Sequence, residues 1–241
     1  MTVDLSTIKV LTWDIGGTVF DWRGTVQNEI ESIAQAQGVQ TNVYEFASKW
    51  RYGMFEMLAD VRKGKIPHMN ADEIHRKMLD IVLDEHTELS LNEDERDKLN
   101  TIWNRLNAWP DAPAAIKKLR ERYIVIPLTV LSWSIGVKCS KHNGIVWDGL
   151  LSCEFLKQYK PDPGAYIHAA ELIGVDPSEI IMCAAHTRDL RSAMSVGYHS
   201  AFVYRAGEKS LESMTEEPTE PLGFFDVTAQ NYAELVEKLM A

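Results

Sequence analysis

The hydrophobic positions along this chain follow two different periods, and the period changes at Trp109–Pro110–Asp111. Residues 7–20 open with a short apolar run, which predicts a buried strand and the turn after it. Residues 24–108 repeat apolar side chains at helical spacing, in four stripes separated by glycine, proline or polar residues. This stretch predicts four amphipathic helices in a small bundle. The stripes are Val26–Ile30–Ile33–Ala34, Phe46–Trp50–Met54–Leu58, Ile74–Met78–Ile81 and Leu99–Ile102–Trp103–Leu106.

Beyond residue 111 the pattern alternates between helix and strand. The predicted helices cover 112–122, 135–141, 163–174, 188–196 and 229–240, and the predicted strands cover 123–131, 150–155, 179–184 and 199–204. This alternation predicts an α/β fold with a Rossmann-like parallel sheet covered on both faces. Because the first strand belongs to the same sheet, the helical stretch is an insertion after it. We therefore expect a core of residues 1–20 and 110–241, with a helical-bundle cap of residues 21–109.

Composition and charge narrow the class of protein. The chain has 241 residues, of which 45% are hydrophobic and 25% charged, enough for one large domain or a core with an insert. The net charge of -10 disfavours nucleic-acid binding, although a few local cations can still hold a small anion. No apolar run is long enough for a bilayer, and the first residues lack a secretory pattern. We therefore expect no membrane partner. Three scattered cysteines, Cys139, Cys153 and Cys183, favour a reduced, cytoplasmic protein.

Several side chains capable of chemistry fall at predicted strand ends or in the loops after them. In parallel sheets of this type ligands bind at the carboxyl ends of the strands, so we expect these side chains to converge beneath the cap. Asp14 ends the first strand and precedes a Gly-Gly-Thr turn, which suits a nucleophile or a metal ligand. The candidates are Asp14, Thr18, Ser132, Trp133, Lys160, His186 and Asp189.

Each candidate also has a purely structural interpretation. Asp14 would cap its turn, Thr18 and Ser132 would bond locally, and Asp189 would favour a helix N-terminus. Histidine at a strand end, as at His186, is often simply hydrogen-bonded there, and Trp133 would be a core residue.

Two cations are candidates for holding an anion. Lys160 lies in a loop stiffened by Pro161 and Pro163, and would hold Asp14 ionised and neutralise an anionic substrate. Arg51 follows Trp50 on the second helical stripe, and would bind a leaving anion or a substrate carboxylate. The alternative for both is an exposed, solvated side chain. Lys157 is a weaker candidate, because it precedes the stiff loop.

The position two residues after Asp14 is Gly16, not a second acid. This absence argues against chemistry that gives a proton to a poor leaving group. A Mg²⁺ site for phosphoryl transfer needs several oxygen ligands in octahedral geometry, and the converging carboxylates here are only Asp14 and Asp189.

Four segments in order, DIGGTVFDW, LSWS, KPDPGAY and AAHTRDL, resemble the motifs of the haloacid dehalogenase superfamily over nearly the whole chain. The KPDP-x-x-Y segment, the WR pair and AAH-x-x-DL are similar to those of the (S)-2-haloacid dehalogenases. That resemblance implies metal-independent hydrolysis of a short (S)-2-haloacid to the (R)-2-hydroxy acid through an aspartyl ester. It also implies no cofactor, a released halide and a homodimer.

The resemblance also implies roles for individual residues. Asp14 attacks the carbon, Arg51 receives the halide, and Lys160 and Asp189 activate the water that hydrolyses the ester. Thr18, Ser132 and Tyr166 support the substrate carboxylate and Asp14. Further residues predicted to line the substrate site are Trp133, His186, Ile15 and Gly16.

Three positions depart from the pattern: these dehalogenases usually have an aromatic residue at Gly16 and asparagine at Trp133, and often asparagine at His186. We expect Trp133 to fill the space that an aromatic residue at position 16 would occupy. Two other functions stay open: a Mg²⁺-dependent phosphate or phosphonate hydrolase of the superfamily, and a catalytically silent member that binds an anion.

Overall fold

A computed structural model describes residues 3–156, 158–205 and 223–241 of the chain. The described strands are β1 (Val10–Trp13), β2 (Phe20–Asp21), β3 (Asn107–Ala108), β4 (Ile124–Thr129), β5 (Leu151–Ser152), β6 (Ile180–Ala184), β7 (His199–Val203) and β8 (Val227–Ala229). The described α-helices are α1 (Trp22–Gln37), α2 (Val43–Arg62), α3 (Ala71–Glu85), α4 (Glu93–Asn100), α5 (Ala112–Leu119), α6 (Trp133–His142), α7 (Cys153–Leu156), α8 (Pro163–Ile173), α9 (Thr187–Met194) and α10 (Tyr232–Leu239). Short 3₁₀ helices cover Thr101–Asn104 and Pro177–Glu179.

Within the described ranges, six parallel strands form one sheet in the order β5-β4-β1-β6-β7-β8. β1 lies between β4 and β6, and Trp13 pairs with Pro127 on one side and Cys183 on the other. The strands β1 and β6 are buried along their whole length because helices cover both faces, which is why their sequences are apolar without alternation. The predicted Rossmann-like α/β class is confirmed. Asp14, directly after β1, stands at the carboxyl edge of the sheet.

The helices α1 to α4 lie between the two strands of a small antiparallel ladder, β2 and β3. Phe20 pairs with Ala108 there, so the chain enters and leaves the helical segment at one place. Local signals start these helices: the side chain of Asp21 caps α1, and Asn70 and Asn92 form capping boxes for α3 and α4. The division into a core and a cap with the boundaries given above stays a prediction.

Three expected elements are wrong in part. The fourth expected helix, with the stripe Leu99–Ile102–Trp103–Leu106, is the end of α4 followed by the 3₁₀ helix Thr101–Asn104, and Leu106 lies beyond both. The strand expected over 150–155 covers Leu151–Ser152 only, because the Oγ of Ser152 accepts from the amide of Glu154 and a helical turn begins. The helix expected from residue 229 begins at Tyr232, where the side chain of Asn231 caps it. The residues before it form the edge strand β8, whose three residues are too few to show a period.

No described helix combines the length and the apolar character that crossing a membrane requires. The cysteines Cys139, Cys153 and Cys183 are buried and free.

Candidate active site

Asp14 is buried at the end of β1, and both of its carboxylate oxygens accept hydrogen bonds. Oδ1 accepts from Nζ of Lys160 at 3.0 Å. Oδ2 accepts from Oγ1 of Thr18 at 2.8 Å and lies 3.0 Å from Nδ1 of His186. An ionised carboxylate only accepts, so Nδ1 of His186 carries the proton in this contact. These partners come from three separate loops at the carboxyl edge of the sheet, as expected from the sequence.

Thr18 is held by contacts that the sequence did not reveal. Its Oγ1 accepts from the amide of Ala185 at 2.9 Å while donating to Asp14. Its carbonyl accepts from the hydroxyl of Tyr232 at 2.5 Å and from Nε of Arg205 at 3.2 Å. The partners lie far along the chain, so no local motif marks them. They fix the rotamer of Thr18 and, through it, one oxygen of the nucleophile candidate.

Lys160 joins the two buried carboxylates of the site. Its Nζ donates to Oδ2 of Asp189 at 2.6 Å as well as to Asp14. The hydroxyl of Tyr166, on α8, donates to Oδ1 of Asp189. The hydroxyl therefore lies on Asp189 rather than on Asp14, and the predicted support of the substrate carboxylate by Tyr166 stays a prediction. Asp189 lies in the first turn of α9, so its helix-terminal position and its place in the site coexist.

The surroundings shift the pKa values of Asp14 and Asp189 in opposite directions. Burial by itself would raise the pKa of Asp14, but the charge of Lys160 and the hydrogen bond from His186 outweigh it and hold that pKa well below its ordinary value. Burial raises the pKa of Asp189, and the neighbouring charge of Asp14 adds to the effect, although Lys160 opposes it. Burial would lower the pKa of Lys160, but the two carboxylates raise it above its ordinary value. Asp14 is therefore ionised, and Asp189 is the more basic carboxylate.

Arg51 extends from α2 toward the same edge of the sheet and is only 4% exposed. Its guanidinium carbon lies 4.4 Å from the ring centre of Phe55 and 5.7 Å from those of Trp22 and Trp103. The sequence pointed to Trp50 as the neighbouring aromatic residue, but the indole of Trp50 donates to the carbonyl of His75. Residues four apart share a helix face, so Phe55 was the signal to use.

The guanidinium of Arg51 contacts the turn after Asp14 at Gly16. A Cβ atom placed at Gly16 would lie 2.8 Å from Nη2 of Arg51 and 3.7 Å from Cδ1 of Leu131. The expectation that Trp133 fills this space is wrong, because Arg51 occupies it. Trp133 is 47% exposed, and its amide donates to Oε1 of Glu154 at 2.7 Å.

The remaining predicted residues have structural contacts. Oγ of Ser132 accepts from the amide of Ile135 at 3.1 Å and caps α6, which is the local bonding considered above. Ile15 is fully buried, and its carbonyl accepts from the amide of Phe20 at 2.8 Å, which closes the turn. Substrate contacts of Ser132, Trp133 and Ile15 stay predictions. Lys157 lies outside the described residues.

A Mg²⁺ ion, which phosphate hydrolases of this superfamily use, fits these donors poorly. The space between Asp14 and Asp189 is bridged by Nζ of Lys160, a cation within hydrogen-bond distance of both. In the described ranges, no three or more His, Cys, Asp or Glu side chains cluster as they would around a metal ion.

Residues 8–193 match the family of haloacid dehalogenase-like hydrolases, so this chain belongs to that family. An (S)-2-haloacid dehalogenase 4A from Burkholderia cepacia is 33% identical over 116 residues, which are 46% of this chain and about half, 50%, of that relative. An (S)-2-haloacid dehalogenase from Pseudomonas sp. (strain YL) is 26% identical over 217 residues, 88% of each chain. The crystal structure of a defluorinating L-2-haloacid dehalogenase superposes with a TM-score of 0.88 at 29% identity, covering 97% of this chain and 96% of that one.

Proposed function

We propose that this protein hydrolyses the carbon–halogen bond of short (S)-2-haloacids and releases the (R)-2-hydroxy acid and halide. The observation that carries the proposal is the guanidinium of Arg51 against Gly16, two residues after Asp14. Arginine stays protonated, so it stabilises a departing anion but does not give it a proton. A halide needs charge stabilisation alone, whereas an alkoxide leaving from phosphorus also needs a proton. The names of the relatives above support the same class of reaction.

In the first step, a carboxylate oxygen of Asp14 attacks C2 of the substrate from the side opposite the halogen. The new C–O bond forms as the carbon–halogen bond breaks, and the halide leaves with the bonding electron pair toward Arg51. Oδ1 is the proposed nucleophile, since Oδ2 is engaged by both Thr18 and His186. The lowered pKa of Asp14 keeps it ionised for this attack. Attack from the opposite side inverts the configuration at C2.

In the second step, water attacks Cγ of the Asp14 ester. Asp189 is the proposed base, because burial raises its pKa even when Asp14 is an uncharged ester, which makes it a better proton acceptor than an ordinary aspartate. Oδ2 of Asp14 then carries the negative charge of the tetrahedral intermediate. Thr18 and His186 already lie within hydrogen-bond distance of that oxygen, so they would stabilise it without rearrangement. Collapse of the intermediate breaks the C–O bond of the ester, and the departing alkoxide takes the proton that Asp189 accepted from the water. The Asp14 carboxyl then loses its remaining proton to solvent, which restores both carboxylates and releases the hydroxy acid.

The proposal includes metal independence, which rests on the cation already present between the carboxylates. Lys160 supplies the positive charge there, and a monoanionic carboxylate substrate brings less charge than a phosphoryl group. A cytoplasmic location and a homodimer stay predictions.

Halide release from racemic 2-chloropropionate, with and without EDTA, tests the proposal. We expect chloride release that EDTA leaves unchanged and that stops when half of the substrate, the (S) form, is consumed. The control variant Asp14→Asn keeps the shape of the side chain and should release no chloride. Chloride release by that variant would contradict the nucleophile, and Mg²⁺-dependent phosphate release from a phosphate ester, without chloride release, would contradict the reaction.

A further inference from the structure

We propose that Gly16 is a specificity-determining residue: its missing side chain lets Arg51 press against the nucleophile's turn, which favours the poorer leaving group, chloride, relative to bromide. This inference rests on the proposed function in one respect, that the halide departs toward Arg51. The contact between Gly16 and Arg51 is independent of it.

The approach of Arg51 to Gly16 leaves no room for even one carbon atom. A Cβ there would lie 2.8 Å from Nη2 and 3.8 Å from Cζ of Arg51, and real Cβ contacts essentially never fall below 3.0 Å. The backbone does not require glycine at this position, since the left-handed φ of the turn belongs to Gly17, at 90°. An alanine at position 16 is therefore compatible with the turn, provided that the guanidinium moves.

The guanidinium has little freedom to move while keeping its position. The rings of Phe55, Trp22 and Trp103 lie around it, and the side chain is 4% exposed. A methyl group at Gly16 therefore pushes the charge away from the turn that follows Asp14. Attraction between the guanidinium and a departing halide weakens with distance, so the displacement acts on the first chemical step.

Chloride depends on this attraction more than bromide does. The carbon–chlorine bond is the stronger of the two, and its cleavage gains more from stabilising the charge that develops on the halogen. Loss of part of a charged contact should therefore slow the chloro substrate more. A general loosening of the site would instead slow both substrates by the same factor.

The first test compares kcat/KM for (S)-2-chloropropionate and (S)-2-bromopropionate in the wild type and Gly16→Ala. We expect kcat/KM to fall roughly tenfold for the chloro substrate and less for the bromo substrate. A tenfold fall is the effect of weakening one charged hydrogen bond in the transition state. The matched control is Gly149→Ala, where the new methyl group makes an ordinary 3.8 Å contact with Ile126. That variant should leave both constants unchanged. An unchanged bromide-to-chloride ratio in Gly16→Ala would overturn the proposal.

A double-mutant cycle with Arg51→Lys shows whether the effect passes through Arg51. Lysine lacks the Nη2 atom that the new methyl group would meet, so Gly16→Ala should cost little in that background. An equal loss in both backgrounds would overturn the proposed route.

Bromide binding separates this inference from the proposed function, because it needs no turnover. Trp22 and Trp103 flank Arg51 and are nearly fully buried, so saturable quenching of tryptophan fluorescence by sodium bromide should report the anion there. We expect weaker saturable quenching in Gly16→Ala and wild-type quenching in Gly149→Ala. If the wild type releases no halide from either substrate and this difference is present, the proposed function and the leaving-group preference fail, while the placement of Arg51 by Gly16 at an anion site stands. Identical quenching in wild type and Gly16→Ala overturns the role of Gly16.

Discussion

Replacing Lys160 with methionine removes the positive charge that faces both buried carboxylates of the site. Nζ lies 3.0 Å from Oδ1 of Asp14. At an effective dielectric constant of about 20, Coulomb's law gives roughly 5 kcal/mol of gross attraction at that distance, equivalent to about four pKa units. Burial and the charge of Asp189 would then act on Asp14 unopposed by this cation. We expect the pKa of Asp14 to rise above its ordinary value, with the two carboxylates sharing a proton.

The pH dependence of kcat/KM for 2-chloropropionate measures this change. In the wild type, Asp14 stays ionised at mildly acidic pH, so no acid limb from this residue should appear above about pH 4. Lys160→Met should show an acid limb well above that pH, and a maximal rate at least ~100-fold lower because a group that stabilises charge is lost. An active variant with an unshifted limb would refute the role of Lys160 in keeping Asp14 ionised.

The free energy of unfolding of Lys160→Met gives a second measurement of the interaction between Lys160 and the buried carboxylates. Removing one partner of a buried ion pair typically costs about 3–5 kcal/mol, so urea unfolding at pH 7 should show a loss of that order. The contribution of Asp14 to the pH dependence of the unfolding free energy should also change sign. The lowered pKa of Asp14 stabilises the wild type above the ordinary value near 3.9, and that stability is lost as pH falls through the folded pKa. In the variant, the raised pKa makes stability increase as pH falls from 7. Exposed Lys138→Met is the matched control and should behave as wild type.

Three further substitutions test other parts of the site. Thr18→Val removes the donor to Oδ2 of Asp14 and the acceptor of a backbone amide, so we expect a loss of about 1–3 kcal/mol in urea unfolding and a lower kcat; unchanged values would contradict this. Tyr166→Phe removes a hydrogen bond that lowers the pKa of Asp189, so the acid limb of kcat should move to higher pH. A limb that stays in place would count against Asp189 as the base. Burial, and to a smaller extent the charge of Arg51, lower the pKa of His75 well below 6.5. The free energy of unfolding of the wild type should therefore fall by up to about 1.4 kcal/mol for each pH unit below 6.5. His75→Phe keeps an aromatic ring against Trp103 and should lack this loss. If the free energy of unfolding in urea varies with pH to the same extent in both proteins between pH 5 and 7.5, His75 is not a buried neutral histidine.

The sheet and the centre of the site were predictable because their signals are local. β1, β4 and β6 are continuous apolar runs, and a parallel sheet brings their carboxyl ends together. That single rule placed Asp14 and Asp189 beside each other before any distance was known. The stiff loop at Pro161 likewise pointed to Lys160, which the structure places between the two carboxylates.

Features that depend on distant contacts were not predictable in the same way. The carbonyl of Thr18 is held by Arg205 and Tyr232, which no spacing rule connects to it. The space beside Gly16 was assigned to Trp133, because both positions depart from the family pattern. Arg51 fills it instead, because its side chain reaches the turn from α2, and the packing of an inserted helix is not encoded in a local motif.

The most direct test of the account is a single turnover of 2-chloropropionate in H₂¹⁸O, with enzyme in excess, followed by mass spectrometry. If Asp14 forms an ester and water attacks its Cγ, the peptide that contains Asp14 gains one ¹⁸O and the lactate formed carries only ¹⁶O from the aspartate. Label in the lactate after that first turnover, with an unlabelled Asp14 peptide, would mean that water attacks C2 directly and would contradict the central claim.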